Sequence, residues 1–459
     1  MTNEIEVNEI KEQLNELLES KNYRDMKPIL NEMAEADIAE FLDELPFEKA
    51  MRLLRLLSKE KASETFSYFQ PETQELIINS VSDEEVGRII EEISVDDAVD
   101  MLEEMPANIV KRVLKNASAE TRSTINRFLN YPEDSVGSIM TSEFTDIKGD
   151  MTVGDAIKYL RQVAENKETV YTCYIISKSR MLEGVIELSE ILACRDDSVL
   201  ISDIMETNVI KAVTTEHRET AADLFSKYDL HTLPVVDNEN RLVGIVTADD
   251  ILDVIEEEAT KDIEQMAAIV PMEDEYLRTG VFTIVKKRIV WLFVLMITGV
   301  LTGSILGSFE ATIATVPVLV TFMPMILNTG GNSGSQASIT VIRGLTTGEL
   351  EAKHVWRILW KEFRVALTVG ILFAAVNFGM VYLLAGDVSG RVLIALVVSL
   401  AMLFTIILAK CIGCVLPIIA SKLRLDPTVM ATPLITTCVD VCAMLVYFSL
   451  AVNLLSSLL

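Results

Sequence analysis

Histidine is nearly absent from this chain, which has three histidines in 459 residues. None of His217, His231 and His354 has the spacing of a zinc site or of a catalytic triad. Cysteine is scarce as well, and the six cysteines do not form the four-ligand pattern of a structural metal site. The sequence therefore contains no recognisable catalytic centre, and we expect a protein that is not an enzyme.

Basic residues are few in the first 270 positions, which hold 58 acidic and 27 basic residues, a net charge of −31. The rest of the chain holds 10 acidic and 13 basic residues, a net charge of +3. The acidic part disfavours nucleic acid, because phosphate binding needs a basic face, and it favours cations as partners. An ordinary solvated surface is the alternative interpretation. The N-terminus also lacks the basic and apolar regions of a signal peptide, so the acidic part is expected in the cytosol.

Residues 1–130 carry a repeat. Apolar residues recur at a strict 12-residue step, and a proline that would stop a helix follows three of them; the positions are Leu45, Leu57, Phe69, Val81, Ile93 and Met105. One short helix per step cannot bury its apolar face alone. The repeat therefore predicts a stacked α-superhelical domain with an acidic outer face, typical of an interaction platform.

Residues 131–255 change to an α/β pattern. Strands are predicted at 171–176, 184–188, 232–236 and 241–246, and helices at 153–163 and 219–228. Two halves match each other: Gly137-Ser-Ile-Met140 corresponds to Ser202-Asp-Ile-Met205, and Leu182-Glu-Gly-Val-Ile186 corresponds to Leu242-Val-Gly-Ile-Val246.

These halves resemble a tandem pair of CBS domains, at residues 131–199 and 200–255. In such pairs a Thr-x-x-Asp ending often contacts the ribose of an adenine nucleotide. The resemblance thus implies nucleotide binding, with ATP as a regulatory ligand, at Thr247 and Asp250 of the second half. The first half has Glu187 and Glu190 at the matching places, so we expect no nucleotide there.

A long amphipathic helix follows Thr247, and its residues 256–280 form the connection to the apolar part. One face is apolar and the other is crowded with acids, relieved only by Lys261. Like charges one turn apart repel each other, so divalent counterions are needed for such a helix to pack against acidic neighbours. The helix is predicted to end at Pro271.

Five apolar runs of membrane length lie in residues 281–459, and they predict an all-α membrane domain. The runs are about 289–309, 311–327 with a polar extension to 341, 365–384, 392–419 and 430–454. Lysine and arginine cluster before the first run and in alternate loops. This bias predicts a cytoplasmic N-terminus and an extracellular C-terminus. An odd number of spans cannot contain two inverted copies, which favours a pathway on the symmetry axis of a homodimer.

Asp440 is the only carboxylate well inside one of these runs. An unpaired charge at bilayer depth costs at least ~2.5–3.5 kcal/mol, so we expect Asp440 to face a water-containing path where a cation compensates it. A protonated or helix-paired structural aspartate is the alternative. The segment 324–336 supplies glycines and neutral oxygens at membrane depth, which fits either a lined cavity or small-residue helix packing.

The order of these segments, together with Thr329-Gly-Gly-Asn-x-Gly-x-Gln336 and Pro433…Asp440, resembles the MgtE family of magnesium channels over essentially the whole chain. The resemblance implies a multi-pass homodimer in the cell membrane, selectivity for Mg²⁺ at Asp440, and closure when cytosolic Mg²⁺ bridges the acidic domains. It implies regulatory Mg²⁺ at Asp250, Asp253, Glu258 and Asp262. It also implies a pore lined by Asn328, Thr329, Gly331, Asn332, Gln336, Pro433, Thr436 and Thr437.

The chemistry of Mg²⁺ agrees with one acid per chain. Mg²⁺ loses water reluctantly and prefers six oxygen ligands, so its path should be wide, lined by oxygen and sparing in charge. Two rival hypotheses are a proton- or sodium-coupled divalent cation exchanger that uses Asp440 as carrier and a membrane enzyme regulated by the CBS pair. The three histidines give the enzyme no support, so only the exchanger remains open beside the channel.

Overall fold

The protein is described here from a computed structural model, which describes residues 2–164, 167–272, 276, 279–386, 390–423, 425–429 and 432–455. The side chains of residues 2–8 and 429 are outside this description. The chain forms two compact units, residues 1–256 and residues 257–459.

Ten helices open the first unit. They are α1 (Thr2–Glu19), α2 (Tyr23–Glu32), α3 (Glu35–Asp43), α4 (Phe47–Leu54), α5 (Lys59–Ser67), α6 (Pro71–Ser80), α7 (Asp83–Glu92), α8 (Val95–Glu103), α9 (Ala107–Asn116) and α10 (Ala119–Phe128). From α2 to α10 each helix begins 12 residues after the one before it. The predicted helical repeat is therefore confirmed.

Serine and proline set the helix starts in this repeat. Ser58, Ser82, Ser94 and Ser118 each accept a hydrogen bond at the N-terminus of the helix that follows. The prediction that Pro46, Pro71 and Pro106 stop helices is wrong, because each of them stands at the start of one. Two are the capping residues of α4 and α9 and one is the first residue of α6, where a missing N–H costs nothing.

Two three-stranded sheets complete the first unit. The elements are β1 (Asp146–Ile147), α11 (Val153–Val163), β2 (Thr172–Ile176), β3 (Leu182–Glu187), α12 (Leu188–Ala193), α13 (Ile201–Ile204), β4 (Ala212–Val213), α14 (Arg218–Tyr228), β5 (Thr232–Val236), β6 (Leu242–Thr247) and α15 (Ala248–Met266). Both sheets have the same order, with a parallel first pair and an antiparallel second pair. The four predicted strands are confirmed to within two residues. The two-residue strands β1 and β4 are too short to leave a pattern in the sequence.

The two halves exchange short segments. Thr141 forms reciprocal backbone hydrogen bonds with Ile245 of β6, at 2.8 and 2.9 Å, and Glu206 forms the equivalent pair with Val185 of β3. A Cβ on Gly244 would lie 2.6 Å from the carbonyl oxygen of Thr141, so this close approach requires glycine. The matched sequence motifs thus pack in matching places.

The helix α15 ends earlier than predicted, at Met266 rather than at Pro271. Ala268 adopts a left-handed backbone conformation with φ of 59°. Its N–H donates to the carbonyl of Gln265, and the N–H of Ile269 donates to the carbonyl of Glu264, both at 2.9 Å. This hydrogen-bond pattern terminates a helix without proline, and glycine usually occupies the position of Ala268.

The second unit is helical. It contains the end of α15 and then α16 (Val281–Ser308), α17 (Glu310–Thr315), α18 (Val318–Thr346), α19 (Val355–Leu384), α20 (Arg391–Lys422) and α21 (Thr432–Leu454). Within the described residues, four helical stretches are long and apolar enough to cross a membrane, namely 281–308, 352–384, 391–422 and 432–454. The polar residues of α18 keep it out of this group. A fifth span therefore stays a prediction.

The second span was predicted to start at residue 311, and the structure differs there. The chain breaks between α17 and α18 at Val316 and Pro317, and α18 then runs without interruption through its glycines. No unwound turn interrupts this helix. Its glycines serve close packing instead: a Cβ on Gly330 would lie 2.5 Å from the Thr405 side chain, and one on Gly413 of α20 would lie 2.2 Å from the carbonyl oxygen of Gly334.

Candidate transport path and acidic cluster

Asp440 lies near the middle of α21, half-buried among apolar residues. Its Oδ1 atom is buried and has no hydrogen-bond partner within the described part of the chain. One turn earlier, the hydroxyls of Thr436 and Thr437 donate to the carbonyls of Thr432 and Pro433 at 2.9 Å. Those hydroxyl oxygens keep lone pairs that can accept from water. A carboxylate in this setting needs a cation or water to compensate it.

A polar stripe runs along one face of α18. Asn328, Asn332 and Gln336 are exposed at a four-residue step, and the Nδ2 atom of Asn332 donates to Oδ1 of Asn328 at 3.1 Å. The opposite face is buried and includes Gly330, Gly334 and Ala337. Exposed amides on a helix flanked by membrane helices indicate a surface that meets water or protein and not lipid.

The helices α18 and α21 touch beside Asp440. A Cβ on Gly331 would lie 2.8 Å from the Thr436 side chain, and one on Gly330 would lie 3.1 Å from Val439. The fold thus brings together the two segments that the sequence singled out. Gly331 is buried in this contact, so its place is in helix packing, whereas Thr329, Pro433, Thr436 and Thr437 are half-buried.

Sequence reasoning missed an ion pair inside the helical bundle. Lys410 of α20 and Glu362 of α19 are joined by a 3.2 Å contact between Nζ and Oε2, and their side chains are only 9% and 17% exposed. Lys410 lies within the fourth apolar run, whose mean hydropathy stays high despite this one lysine. The sequence could have indicated the ion pair, because it has a single charge inside an apolar run and an acid near the start of the preceding helix.

Seven carboxylates of the first unit lie close enough for their charges to interact. This acidic cluster consists of Asp96, Asp97 and Asp100 of α8, Glu143 before β1, Glu168 before β2, and Asp249 and Asp250 at the start of α15. Of these, only Asp250 was predicted from the sequence as a site residue. Apart from the neighbouring Asp249, the others are far from Asp250 in the chain, and only packing brings them close.

Desolvation and neighbouring charges raise the pKa values of several carboxylates in this cluster. Desolvation by surrounding protein atoms, and then the charges of Asp96 and Asp250, raise the pKa of Asp100 to about 8, although the Asp100 side chain is exposed. Desolvation and then the charge of Asp96 raise the pKa of the exposed Glu168 and of the half-buried Asp250 to about 7. The cluster therefore holds protons near neutral pH in the absence of cations.

The chemistry of the cluster fits Mg²⁺. Carboxylate oxygen is the ligand that Mg²⁺ prefers, usually with several waters retained. Asp96 is 92% buried, and its Oδ1 atom lacks a hydrogen-bond partner in the described chain. Within the described residues, no three His, Cys, Asp or Glu side chains lie close enough to form a metal site on their own. Any Mg²⁺ held here would therefore keep much of its water.

The other predicted regulatory residues lie further along α15. Asp253 is exposed, and Glu258 and Asp262 are half-buried. Lys261 donates to Oε1 of Glu258 at 3.1 Å, so a cation already accompanies that carboxylate. Thr247 donates from its backbone N–H and its hydroxyl to Oδ2 of Asp250, at 3.2 and 2.5 Å. The two residues predicted to contact ribose therefore touch each other, and Asp250 also belongs to the acidic cluster.

The raised pKa values predict how pH affects the first unit. The folded unit binds protons that the unfolded chain releases between about pH 4 and pH 8, so the free energy of unfolding falls as pH rises through that range. Without divalent ions, the melting temperature of residues 1–256 should drop by several degrees from pH 5.5 to pH 8.5. Mg²⁺ at ~10 mM should flatten this dependence by neutralising the carboxylates.

Thermal melts in EDTA and in Mg²⁺ measure this effect, with the Asp96→Asn/Asp250→Asn variant and the exposed Asp223→Asn variant as a matched pair. The first should be more stable in EDTA and less responsive to Mg²⁺, and the second should match the unaltered protein. A melting temperature that stays flat or rises with pH in EDTA would contradict the interpretation.

Known protein families and known proteins match this chain. The MgtE family of divalent cation transporters matches residues 323–450, the MgtE intracellular N domain matches 33–134, and the CBS domain matches 201–257. The magnesium transporter MgtE of Thermus thermophilus is 34% identical over 448 residues, which cover 97% of this chain and 98% of that protein. This chain belongs to the MgtE family. The MgtE of Bacillus subtilis is 31% identical, over 96% of each chain.

Two solved structures resemble the N-terminal half of this MgtE-family chain. The cytosolic domain of the Mg²⁺ channel MgtE in complex with ATP is 34% identical, with a TM-score of 0.50, and covers 53% of this chain and 99% of its own. The soluble part of a magnesium transporter is 28% identical, with a TM-score of 0.52, and covers 55% of this chain and 99% of its own. Both support a helical domain followed by a CBS pair.

Proposed function

We propose that this MgtE-family chain is a Mg²⁺-selective channel of the cell membrane that mediates magnesium uptake and is closed by cytosolic Mg²⁺. The carboxylate of Asp440 carries the proposal, because its Oδ1 atom has no hydrogen-bond partner among the described residues and lies in an apolar helix packed against the polar helix α18. One charge with amide and hydroxyl oxygens nearby suits a hydrated divalent ion. The named relatives are magnesium transporters.

In this proposal the domains have the boundaries predicted above. Residues 1–130 and the CBS halves 131–199 and 200–255 form the sensor, 256–280 the connection and 281–459 the five-span pore. The pore lies on the axis of a homodimer, with the N-terminus cytoplasmic and the C-terminus extracellular. In a single chain α16 has no buried residue, so lipid or the second copy must cover its apolar surface.

The regulatory Mg²⁺ is held in the sensor by carboxylates of the acidic cluster and by Asp253, and in the connection by Glu258 and Asp262. Two carboxylates ~4 Å apart repel by ~4 kcal/mol at an effective dielectric constant of about 20, and bound Mg²⁺ reverses this repulsion. Moving a two-state gate from 1:99 to 99:1 needs about 5.5 kcal/mol of differential binding. Several weak sites acting together can supply that free energy.

The end of α15 offers a route from the sensor to the pore. Within the second unit, Oγ1 of Thr428 and Oε1 of Gln265 are 2.6 Å apart, and Thr428 is fully buried in the loop that leads to α21. The Nζ atom of Lys287, in α16, donates to the carbonyl of Pro271 at 2.6 Å. A displacement of the last turn of α15 therefore acts on the start of the helix that carries Asp440.

Flux into liposomes separates this proposal from the exchanger. Purified protein should carry Mg²⁺ down its own gradient at the same initial rate with and without a proton or sodium gradient. A rate that depends on either gradient, or proton movement in fixed ratio to Mg²⁺, would favour the exchanger that uses Asp440 as carrier.

We also propose that ATP binds at Thr247 and Asp250, as a regulatory ligand. The support is the ATP complex of the similar cytosolic domain and the pairing of Thr247 with Oδ2 of Asp250, which leaves Oδ1 to accept from a ribose hydroxyl. A hydrogen bond to a charged group contributes ~1.5–3 kcal/mol. Asp250→Ala should therefore weaken ATP binding at least about tenfold.

Calorimetry with ATP on residues 1–256 measures this binding. Glu190→Ala is the matched control, because Glu190 occupies the place of Asp250 in the first half, and it should leave the affinity unchanged. If unaltered protein gives no heat, or if Asp250→Ala binds ATP normally, nucleotide has no place at these residues.

A further inference from the structure

The first three turns of α19 carry two parallel stripes of side chains. Residues three or four apart lie on one face of a helix, so the first stripe is aromatic and the second is basic. We call the two together the α19 stripe; it consists of Trp356, Trp360 and Phe363, and of Arg357, Lys361 and Arg364.

The aromatic half of the α19 stripe is exposed. Trp356 is 80% exposed and Trp360 is 61% exposed, and the Trp360 ring stacks on Phe363 with centroids 5.8 Å apart. Indole rings with one apolar and one polar edge concentrate at the boundary between hydrocarbon and water. No charged residue follows Arg364 until α19 ends at Leu384, which places the α19 stripe at that boundary.

The basic half of the α19 stripe has no acidic partner among the described residues. Within the described chain, Arg357, Lys361 and Arg364 form no ion pair, and all three are exposed. The acid on the same three turns is Glu362, which is turned inward and pairs with Lys410. Further back, Glu351 pairs with Lys353. The α19 stripe therefore presents three uncompensated positive charges.

The three basic residues are spread over a length that spans the whole headgroup layer. Arg357 and Arg364 are seven residues apart, or ~10 Å along the helix, and the polar layer of one leaflet is roughly 5–8 Å thick. A tryptophan at the hydrocarbon edge beside guanidinium groups can hold a lipid phosphate, since arginine binds phosphate through two parallel hydrogen bonds.

We propose that the α19 stripe binds the phosphate headgroup of anionic phospholipids. The basic residues hold the phosphate, and the two tryptophans pack along the glycerol and upper acyl chains. The site does not depend on whether transport is by channel or by exchange. Each basic residue near an anionic membrane surface contributes roughly a fivefold preference, so three should enrich anionic lipid well above its bulk fraction.

Tryptophan fluorescence tests the proposal, because the chain has only three tryptophans. With Trp291→Phe as background, emission comes from Trp356 and Trp360 alone. In vesicles of equal brominated-lipid content, brominated phosphatidylglycerol should quench this emission more strongly than brominated phosphatidylcholine. The derived preference should fall at least tenfold in Arg357→Gln/Lys361→Gln/Arg364→Gln. It should persist in Arg357→Lys/Lys361→Arg/Arg364→Lys, which keeps the charges and controls for folding.

Three outcomes would overturn the site. Equal quenching by the two lipids in the background protein would show that the charges select no headgroup. An unchanged preference in the glutamine variant would place the lipid elsewhere. Absence of quenching by either lipid would show that protein, such as a second copy of the chain, covers the α19 stripe.

Discussion

Replacing Asp440 with alanine should reduce Mg²⁺ uptake to the background of empty liposomes. A divalent ion ~5 Å from a carboxylate gains ~7 kcal/mol at an effective dielectric constant of about 20, before desolvation is counted. Described residues of α21 carry no other charge that could replace it. Loss of even a third of this free energy corresponds to more than tenfold weaker occupancy.

The fold should survive this substitution, because removing a charge from an apolar helix does not oppose membrane insertion. Asp440→Asn should behave like Asp440→Ala, since it keeps the shape and removes the charge. Glu310→Gln, which removes one exposed acid from α17, is the matched control and should transport normally. Normal Mg²⁺ uptake by a well-folded Asp440→Ala protein would exclude Asp440 from the path.

Replacing Lys410 with methionine should destabilise the membrane part by about 3–5 kcal/mol, because it leaves the Glu362 carboxylate buried without its partner. The double variant Lys410→Met/Glu362→Met removes both charges and should recover most of that loss. Lys422→Met alters an exposed lysine on the same helix and should have no effect.

Thermal unfolding in detergent, followed for the four proteins together, measures these changes. The expected order places the unaltered protein, Lys422→Met and the double variant together, and Lys410→Met several degrees below them. A double variant as unstable as Lys410→Met would show that the ion pair is not the cause, since no buried charge is then left unpaired.

The periodic parts of this fold could be predicted because their signals are local. Helix starts in the N-terminal domain follow a 12-residue step that can be read from Leu45 to Met105, and β5 and β6 have the alternation and boundaries that the sequence indicates. The end of α15 could not be predicted in the same way. Its left-handed residue is Ala268 where glycine is usual, so the sequence showed no signal before Pro271.

The candidate sites, too, could be predicted where the signal was local and not where it depended on tertiary packing. Asp440 was found because a lone acid contrasts with its apolar neighbours. The acidic cluster was missed because Asp96 and Asp250 are far apart in sequence, and acids in the first turn of a helix, such as Asp96 and Asp97, are also what the helix dipole favours. Only tertiary packing distinguishes a helix-capping charge from a cation site. Lys410 was missed because its partner lies on another helix.

The central claim is that Mg²⁺ bound to the acidic part closes a Mg²⁺ pathway. The direct measurement is Mg²⁺ flux through the full chain and through a chain lacking residues 1–130, as Mg²⁺ on the cytoplasmic side is raised from micromolar to ~10 mM, the range expected for weak carboxylate sites. The account predicts that flux through the full chain falls across this range and that flux through the shortened chain stays high over much of it. If both chains close with the same Mg²⁺ dependence, the acidic domains are solvated surface and the gate lies elsewhere.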